Sequence, residues 1–109
     1  MVNWREQEAR NEVRFRDQNE WIDGASRSFG VGELTAFVCE CGDGDCTNPI
    51  ELTKPEYESV RSESTHFAIA LDHENPEMES VVVESPRYAV VQKIDGFAVR
   101  LARQSDPRR

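Results

Sequence analysis

The sequence is poor in histidine, holds no cysteine outside one short segment, and contains no long apolar run. Each shortage excludes something. No stretch approaches the roughly 20 apolar residues of a spanning helix. The opening Met-Val-Asn-Trp-Arg-Glu is charged at once and has no apolar signal core, which predicts a cytoplasmic protein. Three cysteines, an odd number, argue against a disulfide framework and for a reducing compartment. No glycine-rich phosphate loop, His-Glu-x-x-His or Ser/His/Asp grouping can be assembled from these residues, so no enzyme is expected. What remains, 38% hydrophobic and 31% charged over 109 residues, describes one soluble globular domain with a modest core that gains from a staple.

Charge is unevenly spread. Residues 1–32 hold five arginines and six acids, for −1; residues 33–85 hold thirteen acids against Lys54 and Arg61, for −11; residues 86–109 hold six bases against Asp95 and Asp106, for +4. The acidic middle would repel phosphate backbones, which argues against nucleic-acid binding there.

The organisation expected is an N-terminal polar helix and connector (1–32), a zinc-stapled α+β domain (33–103) and a flexible tail (104–109). Residues 4–23 read as a helix laced by Glu6/Arg10, Glu12/Arg16 and Arg16/Glu20 pairs at helical spacing. Its apolar content is thin, and half of its heptad seam positions are polar, against a self-sufficient coiled coil. Either it docks Phe15, Ile22 and one of Trp4 and Trp21 on the sheet, or it is offered to a partner. Gly24 is expected to stop it, and Ala25 to Gly32 to connect. A short strand from Leu34 carries Phe37 and Cys39 forward. Asn48-Pro49 turns the chain, and Thr53-Lys-Pro-Glu56 combines a cap, an early proline and a capping-box acid, predicting a helix to about Ser62. His66 to Leu71 reads as a central strand, followed by Glu79 to Glu84 and Tyr88 to Ile94. Asp95-Gly96 signals a hairpin into a last strand through Phe97, Val99 and Leu101. The fold class is therefore α+β: a small antiparallel sheet of four or five strands, a packed helix, and the polar N-terminal helix.

The chemistry lies in Phe37-Val-Cys-Glu-Cys-Gly-Asp-Gly-Asp-Cys46, where Cys39, Cys41 and Cys46 fall within eight residues. Crowded thiolates repel one another, and Zn2+, which takes four Cys or His ligands tetrahedrally, answers that repulsion. Gly42 and Gly44 fit a chain bending round a metal, through tolerance of positive φ. The fourth ligand expected is His73, from the polar loop after the His66 strand, ahead of His66; acidic ligation by Asp43 or Asp45, or an open fourth position, are the alternatives. Cys-x-Cys-x4-Cys departs from paired Cys-x2-Cys knuckles, so clustered buried thiols, or a Cys41–Cys46 or Cys39–Cys41 disulfide, stay open. Three thiolates and a neutral histidine on zinc carry net −1, a closed structural site with no activated water.

Phe15-Arg16…Asn19-Glu20…Ile22, the Phe37 to Cys46 loop, Ile50-Glu-Leu-Thr…Glu56-Tyr-Glu…Val60-Arg61 and Tyr88…Val90-Val91…Lys93 together resemble a set of small uncharacterised proteins of actinobacteria, over roughly residues 14–107. Those relatives carry Gly-His-Glu where this chain has Asp72-His73-Glu74. The resemblance implies an intracellular bacterial protein with a regulatory role, and His73 as the fourth ligand; Asp72 departs from the pattern. The function expected is a regulatory protein–protein interaction module, docking through the N-terminal helix or the acidic face. A thiol-based redox or metal sensor is the first alternative. Nucleic-acid binding through Arg87, Lys93, Arg100, Arg103, Arg108 and Arg109 is the second.

Overall fold

The computed structural model describes residues 3–25 and 32–108. These run α1 (Trp4–Ala25), β1 (Leu34–Val38), β2 (Pro49–Thr53), α2 (Lys54–Arg61), β3 (His66–Ile69), β4 (Glu79–Glu84), β5 (Ala89–Lys93) and α3 (Gly96–Gln104). The fold is α+β, with the strands divided between two antiparallel sheets: β1 with β2, and a three-stranded sheet in the order β3-β5-β4.

Local chemistry builds α2 as expected. Thr53 accepts from the Glu56 N–H while the Glu56 carboxylate takes the Thr53 N–H, a reciprocal capping box with proline in the first turn. The helix buries Tyr57 and Val60, and Tyr57 stacks on Phe37 with ring centroids 4.5 Å apart. Phe37 lies opposite Ile50 across the β1–β2 ladder, so one face of that hairpin closes over α2. Phe67, Ile69 and Val91 complete the main core from the other sheet.

The central strand is β5, not the His66 strand. β3 pairs only with β5 in the ladder, because its other edge is taken by the chain leaving β1, where the Glu40 N–H donates to the Ala68 carbonyl at 2.8 Å.

The segment after Asp95-Gly96 is a helix, not the expected last strand. The Asp95 carboxylate caps it by accepting from the Ala98 N–H at 3.1 Å. Phe97/Leu101 and Ala98/Ala102 are pairs four residues apart, so the spacing that alternates along a strand also stacks along a helix. Helical spacing wins because Phe97, Ala98 and Leu101 pack with Ala9 and Met78.

α1 is docked, and polar side chains do most of the docking. Glu12, Arg16, Asn19 and Asp23, spaced by four, three and four, are all buried. None of the expected intrahelical pairs forms among the described residues; the charges turn to distant partners. Lys93 bridges Glu12 and Glu79. Arg16 donates to the carbonyls of Ser64 (2.8 Å) and Ala102 (3.0 Å), with its guanidinium over the Phe67 ring. Glu20 pairs with Arg61 and Arg108. Phe15 is buried and Ile22 packs against the core, but neither tryptophan anchors the helix: Trp4 is 47% and Trp21 75% exposed. The helix continues through Gly24 to Ala25, and most of the expected connector, residues 26–31, lies outside the described residues.

Residues 104–108 are held rather than loose. Asp106 is buried against Arg61 and Ser64, and Arg108 reaches Glu20, Asp23 and Glu58.

Candidate metal centre

β1 ends at Val38 because Asn19 of α1 takes over its backbone bonding. The Asn19 amide donates to the Val38 carbonyl and accepts from the Val38 N–H, both at 2.8 Å. Two residues of irregular chain follow, Cys39 and Glu40, facing opposite ways. Cys39 looks into the cluster. Glu40 enters the core, where it accepts from Asn19, the Tyr57 hydroxyl (2.8 Å) and the Ala68 N–H (2.9 Å). Burial raises the Glu40 carboxyl and those donors oppose the rise. Its place between two cysteines thus serves to tie the loop to the fold.

Cys39, Cys41, Cys46 and His73 come together, with all four ligand atoms within 4.8 Å of one another. His73 Nδ1 lies 3.5 Å from Cys39 Sγ and 3.7 Å from Cys46 Sγ. A tetrahedral ion with bonds of about 2.3 Å to sulfur and 2.0–2.1 Å to nitrogen separates its donors by about 3.6–3.8 Å, so the donor set fits. His66 begins β3 opposite Gln92 and takes no part. Asp43 and Asp45 also stay out: Asp43 Oδ1 accepts from the Asp45 N–H at 2.9 Å, shaping the loop.

Each sulfur receives a backbone N–H: Cys39 from Ala70 at 3.1 Å, Cys41 from Asp43 and Cys46 from Asn48. These donors favour thiolates without a cationic side chain. Crowding splits the thiols. The hydrogen bond from Cys39 pulls Cys41 down to about 5, and the same bond, with burial, pushes Cys39 up. Burial pushes Cys46 up.

His73 reaches the cluster through a tight turn. Its N–H donates to the Ala70 carbonyl at 3.2 Å, and Asp72 adopts φ 67°, the left-handed position that a type II turn favours for glycine. With Nδ1 facing the sulfurs, Nε2 lies 3.1 Å from the side-chain amide of Asn48. Asn48 Nδ2 is the atom that faces this nitrogen; a metal-bound Nδ1 leaves the proton on Nε2, so the amide would turn over to accept it with its oxygen and fix the ring.

The glycines act through size, not through φ, since neither adopts a positive φ. A Cβ on Gly42 would stand 2.8 Å from Glu8 Oε2 and 2.9 Å from Glu8 Cβ; one on Gly44 would stand 3.2 Å from Asn11 Nδ2. They let α1 lie on the loop. The Asn48, Asn11 and Ala70 contacts escaped the sequence reading. Asn48 read only as the turn before Pro49, and nothing in the sequence marks Ala70.

No protein-family model, curated protein or solved structure matches this chain.

Proposed function

We propose that this chain is a small protein stapled by a structural Zn2+ on Cys39, Cys41, Cys46 and His73, serving as a regulatory protein–protein interaction module of the bacterial cytoplasm. The observation that carries the reading is the closed donor set, three sulfurs and one imidazole nitrogen within 4.8 Å, each sulfur already taking a backbone N–H. When bound, the ion supplies folding energy by cross-linking the loop after β1 to the turn after β3. Four protein ligands leave no corner for an activated water, so we assign the protein no reaction.

With the ion held inside, the surface is left for recognition. Docking of α1 shifts attention from its buried stripe to the exposed faces around it. The basic C-terminal segment supports nucleic-acid binding poorly, because Lys93 is buried between carboxylates and Arg87 and Arg108 are taken by Glu56, Glu20 and Glu58. One feature favours the sensor alternative: Cys46 is the least buried thiol and lies beside the buried pair Cys39 and Cys41.

Native mass spectrometry of protein purified without added metal tests the staple. One zinc per chain, lost in His73→Ala, is expected; a metal-free chain whose unfolding ignores a chelator overturns it. Zinc ejected by mild peroxide with formation of one disulfide would favour the sensor.

A further inference from the structure

A groove lined by none of the three cysteines lies between α2 and the β4–β5 side of the sheet. Its volume is about 440 Å³, within the range of ligand clefts. Val60, Val83, Tyr88 and Val90 form an apolar floor, and Ser59 and His66 stand at its rim. β4 borders it as the edge strand of the order β3-β5-β4, and no strand pairs with its outer side among the described residues. Val81, Val82 and Val83 are 41%, 43% and 48% exposed. Three consecutive half-exposed valines on a free edge form an uncovered apolar surface beside a groove. The irregularity between Val81 and Val83 belongs to this edge as well, and bulges at sheet edges re-aim side chains.

Charge selects what covers it. Glu84 at the end of β4 and Glu63, which follows the groove residue Ser62 in the chain and shares the neighbouring pocket with Arg103, are exposed, and neither forms an ion pair among the described residues. Glu56 in the groove is occupied by Arg87. The stretch from 33 to 85 carries −11 and the whole chain −8, so a second copy, an anionic membrane and a nucleic acid all meet repulsion here.

We infer that this groove and the β4 edge dock an extended, lysine- or arginine-rich segment of a partner protein, with apolar side chains alternating into the groove. This rests on the interaction-module reading and names its surface. The partner's backbone adds along β4, its apolar residues cover Val83 and the floor, and its cations meet Glu63 and Glu84.

The test is an amide NMR titration of the whole zinc-loaded chain with the capped hexapeptide Lys-Val-Lys-Val-Lys-Val and its Glu-Val counterpart. The lysine peptide is expected to move the Val81–Glu84 and His66 signals, with affinity falling at least about fivefold when salt rises from about 50 to 300 mM. The glutamate peptide is expected to leave those signals in place. Val83→Lys is expected to weaken binding at least about tenfold while keeping the unfolding midpoint, since residue 83 is exposed. No movement, equal movement with both peptides, or movement centred on another face overturns the inference. So does self-association through β4 in the peptide-free protein. Zinc content is read separately: a failed titration on a one-zinc chain removes this surface and leaves the module reading standing.

Discussion

The side-chain amide of Asn11 donates to the carbonyl oxygen of Gly42 at 2.9 Å, fastening α1 to the middle of the cysteine loop. Glu8 lies one turn earlier and fills the space where a Gly42 side chain would be, held by Asn75 at 3.0 Å. The helix and the cysteine loop therefore support each other. Gly42→Ala is expected to destabilise the protein by about 1–3 kcal/mol, the usual cost of overpacking. Thermal unfolding measures it, and the cost should persist in excess zinc, because the clash is with Glu8 and not with the ion. A variant as stable as the parent would show that α1 gives way freely.

Asn48 touches His73 on the side away from the sulfurs. Asn48→Ala is expected to weaken zinc binding about 10–100-fold, the range for residues that orient a ligand, while His73→Ala should exceed it. Competition with a chromophoric chelator gives both affinities. Equal values for Asn48→Ala and the parent would remove the orienting role.

Glu12, Glu79 and Lys93 form a buried triad with two carboxylates for one ammonium, and Glu12 Oε1 has no hydrogen-bond partner among the described residues. Burial pushes the Glu12 carboxyl up to about 8, against the pull of Lys93. A raised carboxyl binds its proton more tightly in the folded state than in the unfolded chain. Stability from this group is therefore complete below the unfolded value and is lost as pH rises through the folded one. The unfolding free energy is expected to fall by about 1–3 kcal/mol between about pH 5 and 8. Glu12→Gln should flatten that slope in urea titrations across the same range; an unchanged slope would place its origin elsewhere.

Asp72 holds a backbone conformation in which side chains are strained. Asp72→Gly is expected to raise stability by up to about 1 kcal/mol, and Asp72→Val to lower it by about 1–2 kcal/mol with weaker zinc binding, because the turn delivers His73. Chemical denaturation and zinc competition check both. A stabilising valine would contradict the left-handed turn.

Features governed by neighbours in the chain are legible in the sequence. The capping box at Thr53 and Glu56, the strand into Cys39, the paired strands from Glu79 and Ala89, and the crowding of Cys39, Cys41 and Cys46 follow from short-range rules, whereas His73 joins the cysteines only through the turn after β3. The tertiary structure decided what depends on partners far along the chain. Glu12 meets a lysine 81 residues away, and Arg16 a carbonyl 86 residues away, so α1, whose thin apolar pattern leaves both a docked and a free helix open, is docked through its polar stripe as well as through Phe15 and Ile22. Phe97 to Ala102 fits strand and helix alike until Ala9 and Met78 choose the helix. Asp106 and Arg108 look loose until Arg61, Ser64, Glu20 and Glu58 hold them. Apolar periodicity reports burial by the hydrophobic effect, and it is silent where burial rests on specific ion pairs and hydrogen bonds whose partners the local sequence does not contain.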